Sequence, residues 1–336
     1  MKKVLALIVA MVVATSFAFA DSTLINGAGA TFPYPIYSKW FDEYGKANPG
    51  VMFNYQSIGS GGGIKQITAK TVDFGATDGP MSMDQLTAAP GRIYHIPTVM
   101  GAVVVAYNLQ GIGKGLRLSG DVLADIYLGK ITQWNDPRIT EPNAGINLPS
   151  SPIIVVHRSD GSGTSFIFTD YLSSVSGVWK GQVGKGTSVN WPLGLGGKGN
   201  EGVAGMIKQA PGSIGYVELA YAKQNDLTYA SMKNQSGSYI EPTLDSTSKA
   251  ADGVKIPDDF RVSVVNSPNP EAYPIASFTW LLIYKQMDDH VKGAAIVNFI
   301  KWAVTDGQKF AQDLDYAPLP VNVVQMIQKK LDQVKY

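Results

Sequence analysis

The sequence predicts an α/β protein of two lobes joined by two crossing strands. Short apolar strands alternate with amphipathic helices, the pattern of helices packed on sheets. The chain has 336 residues, more than a single core usually serves. Two long apolar runs, Ile96–Tyr107 and Pro274–Tyr284, can pass from one core to the other and back. Both chain ends then fall on one side, so the first lobe is expected to be discontinuous. Its residues are 21–98 with 278–336, around a second lobe of residues 99–277.

The elements follow in order. Met1-Lys2-Lys3 opens with positive charge, Val4–Phe17 is apolar apart from Thr15 and Ser16, and Ala18-Phe19-Ala20 has the small-x-small form of a signal-peptidase site. The apolar core is short for a membrane span. Residues 1–20 are therefore expected to be a signal peptide cleaved after Ala20. Pro33–Asn48 reads as a helix, with Ile36, Trp40 and Tyr44 at spacing four, and Pro49-Gly50 stops it. Val51–Ile58 alternates as a strand. Gly59–Gly63 follows as a flexible turn, with a short helix from Ile64 to Lys70. Val72–Ala76 is a further strand, running into Thr77-Asp78-Gly79-Pro80. Leu118–Leu128 is helical, with Ser119 as N-cap. Pro152–Val156 is a buried strand, and Ser165–Val175 a helix. Gly194–Gly202 is rich in glycine and opens the helix Val203–Gln209. Asn234–Asp252 is polar and reads as a surface loop. The tail from Asp288 onward is mostly helical, broken at Ala317-Pro318-Leu319-Pro320.

Composition removes several classes of function. There is no cysteine, hence no disulfide, thiolate metal site, cysteine nucleophile or lipid-anchored cysteine. An exported chain without an anchor is expected in the space between two membranes, the periplasm. Formal charge is +1, and loss of Lys2 and Lys3 leaves 26 basic against 27 acidic residues. With no basic run, the electrostatic footprint of a nucleic-acid binder is missing.

Three loops share one chemistry. Gly29-Ala30-Thr31-Phe32-Pro33, Ser60 with Gly61–Gly63, and Ser162-Gly163-Thr164 each precede a helix. A helix start carries unpaired N–H groups and partial positive charge, so it attracts anions. Glycine admits the ligand to the backbone, and Ser or Thr adds a hydroxyl donor. Each loop alone is explained as an ordinary N-cap; three together, beside an arginine, favour a binding site. Arg158 presents a planar fork suited to a tetrahedral oxyanion, and Asp160 can pair with it and hold it. Asp78 selects among anions. An ionised carboxylate accepts but cannot donate, so it tolerates a guest that carries a proton and repels one that does not. Asp78 also reads as a turn residue before Gly79-Pro80, and its place in the chain leaves both readings open.

These loops resemble those of the phosphate-binding proteins that feed ATP-driven phosphate importers. The resemblance spans essentially the whole chain after residue 20. Its most specific stretches are Gly27–Pro33, Asp73–Asp78 and Arg158–Phe166; Asp125–Ile131, Trp191-Pro192 with Gly194–Asn200, and Gly215–Glu218 also match. It implies a type II-like periplasmic binding fold with two hinge strands, closing on dehydrated phosphate held by hydrogen bonds alone. Carried over by position, Thr31 gives hydroxyl and N–H, Phe32 its N–H, Ser60 hydroxyl and N–H, and Asp78 accepts the phosphate proton. Arg158 donates from its guanidinium with Asp160 as partner. Ser162 gives a hydroxyl, Gly163 an N–H, and Thr164 both. It implies no cofactor or metal. The implied partners are inorganic phosphate and the membrane permease of an ABC phosphate transporter, met by a monomer. Departures are His157 beside Arg158, Thr77 before Asp78 and Gly61 after Ser60; none removes a named ligand, and Gly194–Gly202 has no assigned role.

Three other readings compete. An exported phosphatase would need Ser60 or Ser162 as nucleophile, yet the histidines are His95, His157 and His290, none in a metal-binding spacing, and no G-x-S-x-G elbow is present. A binder of sulfate or molybdate conflicts with Asp78, whereas arsenate brings a proton and fits. A scaffold or adhesion role leaves the convergent loops unexplained.

Overall fold

The computed structural model describes residues 22–336. The leader and its cleavage after Ala20 lie outside the described residues. Twelve strands are present among them: β1 Thr23–Gly29, β2 Val51–Ser57, β3 Phe74–Thr77, β4 Ile93–Tyr107, β5 Arg117–Leu118, β6 Ile154–Arg158, β7 Leu195–Gly197, β8 Ser213–Glu218, β9 Thr228–Tyr229, β10 Ser231–Lys233, β11 Tyr239–Ile240 and β12 Ala276–Tyr284. The main sheet runs β2-β1-β3-β12-β4-β8-β6-β7, with β9 against β4, and β11-β10-β5 form a small second sheet.

The main sheet contains two parallel triplets separated by an antiparallel pair. β2, β1 and β3 are mutually parallel, as are β8, β6 and β7. Between them β4 and β12 run antiparallel. β4 belongs to both halves: residues 93–102 pair with β12, and Val103–Tyr107 pair with β8. All fifteen of its residues are buried, as expected for an apolar, β-branched run covered on both faces. Its register against β12 slips between Thr279 and Trp280, opposite Val99 and Pro97. Proline cannot donate to the ladder, so a bulge is the natural accommodation.

Helices cover both faces. Helix Tyr34–Ala47 buries Ile36, Tyr37, Trp40 and Tyr44, the stripe its periodicity predicts. Trp40 Nε1 donates to Gly307 O at 2.7 Å, which ties this helix to the C-terminal tail. The strand and helix pattern expected from sequence is thus present, with two corrections. Gly59–Gly63 is not a flexible turn: Gly59 alone turns, at φ 86°, and the helix begins at Ser60 and runs to Thr68. Its glycines serve close packing, because a Cβ on Gly63 would lie 2.5 Å from Gly29 Cα. Asn234–Asp252 is not a surface loop either. It contains a helix, Leu244–Ser248, started by a Thr243–Ser246 capping box, and Asn234, Ser246, Thr247, Ala250 and Ala251 are buried. Its buried polar side chains find partners within the fold, as when Asn234 Nδ2 donates to Pro270 O at 2.8 Å.

Candidate functional site

The carboxyl ends of the parallel strands place the candidate residues. Thr31 and Phe32 follow β1, Ser60 opens the helix after β2, and Asp78 directly follows β3. In the other triplet, Arg158 ends β6, Ser162 caps helix Gly163–Val175, and Thr164 lies in its first turn. Both triplets therefore aim helix starts and strand ends at one region, the crevice where open α/β sheets bind ligands. Thr31, Phe32, Ser60, Asp78, Arg158, Ser162 and Thr164 are all buried, none more than 3% exposed.

Direct contacts tie Ser60, Asp78 and Gly163 together and, through Asn200, Thr31 to Thr164 and Arg158, while Phe32 and Ser162 adjoin them along the chain. The Asp78 N–H donates to Ser60 Oγ at 3.2 Å. Gly163 lies against both: a Cβ there would overlap Ser60 Oγ and come within 2.5 Å of Asp78 Oδ2. The two halves also meet main chain to main chain, where Gly61 N–H donates to Gly161 O at 2.8 Å. Thr31 and Phe32 are held from behind by Tyr221 Oη and Tyr316 Oη, which donate to their carbonyls at 2.6 Å each.

Arg158 is held as expected. Its Nε and Nη2 donate to Asp160 Oδ1 and Oδ2 at 2.8 and 2.6 Å, a bidentate pair. That leaves Nη1 facing inward, where it donates to Thr164 Oγ1 at 3.3 Å. Burial raises the Asp160 carboxyl, but the Arg158 guanidinium and the Gly199 N–H together outweigh it and hold the group below its ordinary value. Since the pair is neutral as a unit, attraction for an anion comes from directed dipoles rather than surplus charge.

Asp78 is the outlier. Burial pushes its carboxyl from 3.8 up to about 7, against hydrogen bonds from Thr279 and Ser60 and the nearby Arg158 charge, which all act downward. Thr279 Oγ1 donates to Asp78 Oδ1 at 2.8 Å. From sequence alone Asp78 is an ionised acceptor; in this environment it holds or gives up a proton near neutral pH. Ser162 also differs in part. Its Oγ accepts from the Ser165 N–H at 3.0 Å as a true N-cap, which uses one lone pair and leaves the hydroxyl proton free to donate to a ligand.

Sequence reasoning missed Asn200 and Thr279. Asn200 Nδ2 donates to Thr31 Oγ1 at 2.7 Å and to Thr164 Oγ1 at 3.0 Å. The glycine-rich stretch before it is the signal that could have found it. Thr279 sits inside a buried strand, beside the bulge, and nothing local distinguishes it. The histidines are occupied elsewhere. His157 Nδ1 lies 2.9 Å from Arg158 O with its ring stacked on Trp191, and His95 Nε2 accepts from the Met81 N–H at 3.1 Å. His290 packs against Tyr336. No cluster of three or more metal-ligating side chains occurs among the described residues.

Comparison with known proteins places the chain in a family. Residues 18–307 match the PBP superfamily domain. The chain is 48% identical over 310 residues to the phosphate-binding protein PstS of Xylella fastidiosa strain 9a5c, covering 91% of this chain and 84% of that one. It is 47% identical over 326 residues to the PstS of Pasteurella multocida strain Pm70, covering 96% and 94%. The crystal structure of a phosphate-binding protein from Stenotrophomonas maltophilia superposes with a TM-score of 0.71 at 20% identity, covering 92% of this chain and 94% of that one, a likeness of fold.

Proposed function

This chain belongs to the PBP superfamily and, within it, to the family of its PstS relatives, and from that premise we propose that it binds inorganic phosphate and delivers it to an ABC-type importer. The observation that carries the reading is the single buried cluster made from the ends of both parallel triplets. It combines Thr31, Phe32, Ser60, Ser162, Gly163 and Thr164 as donors with one inward guanidinium nitrogen from Arg158. One carboxyl group, Asp78, stands among them.

Asp78 gives the site its selectivity. The pair formed by this carboxyl and the guest must share a proton, whichever partner brings it. Phosphate and arsenate carry one near neutral pH and sulfate does not. Above the range where Asp78 titrates, sulfate faces a buried carboxylate with no proton between them. Residues 21–98 with 278–336 act as one lobe and 99–277 as the other, with β4 and β12 as the hinge strands. The lobes close on phosphate and then present a surface to the permease.

The role is capture rather than turnover. This reading is supported by His157, whose Nδ1 lies against Arg158 O and whose ring stacks on Trp191, an arrangement that does not pair it with Ser162. Export to the periplasm is supported by the leader composition, and no described helix is long and apolar enough to cross a membrane. We expect a monomer with no affinity for nucleic acid. Calorimetric titration of phosphate into protein that has been unfolded, dialysed and refolded tests the reading. One site per chain is expected, with arsenate competing and sulfate not. Absence of a phosphate signal, or steady hydrolysis of a phosphate ester that follows the protein peak, would overturn it.

A further inference from the structure

Thr31 and Thr164 come from opposite triplets, and one side chain joins them. Asn200, fully buried in the first turn of helix Gly199–Gln209, reaches both hydroxyls through Nδ2, at 2.7 Å to Thr31 Oγ1 and 3.0 Å to Thr164 Oγ1. Its main-chain N–H also donates to Thr31 Oγ1, at 3.2 Å. The amide cannot be turned round. Asn200 Oδ1 accepts from the Glu218 N–H at 2.9 Å, and a flip would set two donors against each other. Its backbone is anchored as well, because the neighbouring Gly199 N–H donates to Asp160 Oδ1 at 3.1 Å, the carboxylate that holds Arg158.

A hydroxyl has one proton and two lone pairs. At Thr31 both lone pairs are taken by Asn200, through its side-chain and main-chain nitrogens. At Thr164 they are taken by Asn200 Nδ2 and Arg158 Nη1. Each hydroxyl is therefore left with its proton alone. Resting on the phosphate-binding reading, we infer that Asn200 is a positioning residue with two effects: it commits Thr31 and Thr164 to donate to the ligand, and it latches the two halves of the site together. Both consequences rest on the three hydrogen bonds that Asn200 donates, with Arg158 Nη1 filling the second lone pair of Thr164. A ligand oxygen that carries a proton finds no acceptor at either threonine, which directs the protonated oxygen toward Asp78. Opening the site must also break two bonds between Asn200 and Thr31, so the residue slows release.

The test is a double-mutant cycle on phosphate dissociation with Asn200→Ala, Thr31→Val and the pair, read by stopped flow and calorimetry. Asn200→Ala is expected to weaken phosphate binding about 10- to 100-fold, mostly through a faster off-rate, as loss of two to three hydrogen bonds implies. In the Thr31→Val background the same change should cost at least about threefold less, since the hydroxyl it orients is gone. Asn200→Asp keeps the acceptor for the Glu218 N–H and suits a helix start, so it serves if the alanine variant does not fold. Having lost both amide donors, it should bind phosphate at least about 100-fold more weakly at pH 8. A fully additive cycle, an unchanged off-rate in Asn200→Ala, or tight binding by Asn200→Asp would overturn the inference while leaving phosphate binding intact. Wild-type protein that fails to bind phosphate would overturn both.

Discussion

Replacing Asp78 by Asn probes the cost of burying a carboxylate where an anion must sit. Burial lifts the group from 3.8 to about 7 in the folded protein. At about 1.4 kcal/mol per unit, the ionised group costs that state about 4 kcal/mol. The sign follows from linkage. A carboxyl whose folded value is raised contributes its full stability below about pH 4 and loses it as pH rises through about 7. The amide introduced by Asp78→Asn does not titrate, and its oxygen can still accept from Thr279. The stability of Asp78→Asn relative to wild type should therefore rise by about 4 kcal/mol between pH 4 and pH 7 and stay level above that. Urea unfolding of both phosphate-free proteins across this range measures it. A difference that does not change with pH would refute the reasoning, because it would mean that the carboxylate remains hydrated without ligand.

Other perturbations test neighbouring parts of the site. Sulfate should compete with phosphate more effectively at pH 5 than at pH 8, since a protonated Asp78 can donate to it; competition calorimetry showing the same ratio at both values would contradict the shared-proton account. Arg158→Lys keeps the charge but cannot hold Asp160 with two nitrogens and reach inward with a third, so phosphate affinity should fall about 10- to 100-fold in titration. Gly163→Ala places a methyl group against Ser60 Oγ and Asp78 Oδ2. It should weaken phosphate at least about tenfold, and unchanged affinity would show that the halves do not approach this closely when phosphate binds.

Much of the scaffold is legible in the sequence because it rests on local periodicity. The spacing of Ile36, Trp40 and Tyr44 is the buried face of the observed helix, and the apolar Ile96–Tyr107 run lies inside a strand shared by both halves of the sheet. Tertiary packing hides the remainder. A glycine run reads as flexible, yet Gly61 and Gly63 stand in a helix because other backbones press against them at Gly161 and Gly29. The polar segment after Asn234 reads as exposed because composition cannot show that its side chains cap and bridge one another. At the site, Thr31, Ser60 and Arg158 are betrayed by glycine-rich loops. Thr279 reaches Asp78 from the middle of a strand, where no neighbouring residue signals a polar role. The raised carboxyl of Asp78 is likewise a property of burial, which spacing along the chain does not encode.

Convergence on one buried pocket is tested most directly by locating the bound oxyanion. Arsenate, a near-isostere of phosphate, gives an anomalous signal in crystals of the protein. A single strong peak is expected within hydrogen-bonding distance of Thr31, Ser60, Asp78, Arg158 and Thr164, and phosphate in excess should abolish it. A peak elsewhere on the molecule, with none among these residues, would contradict the proposed site.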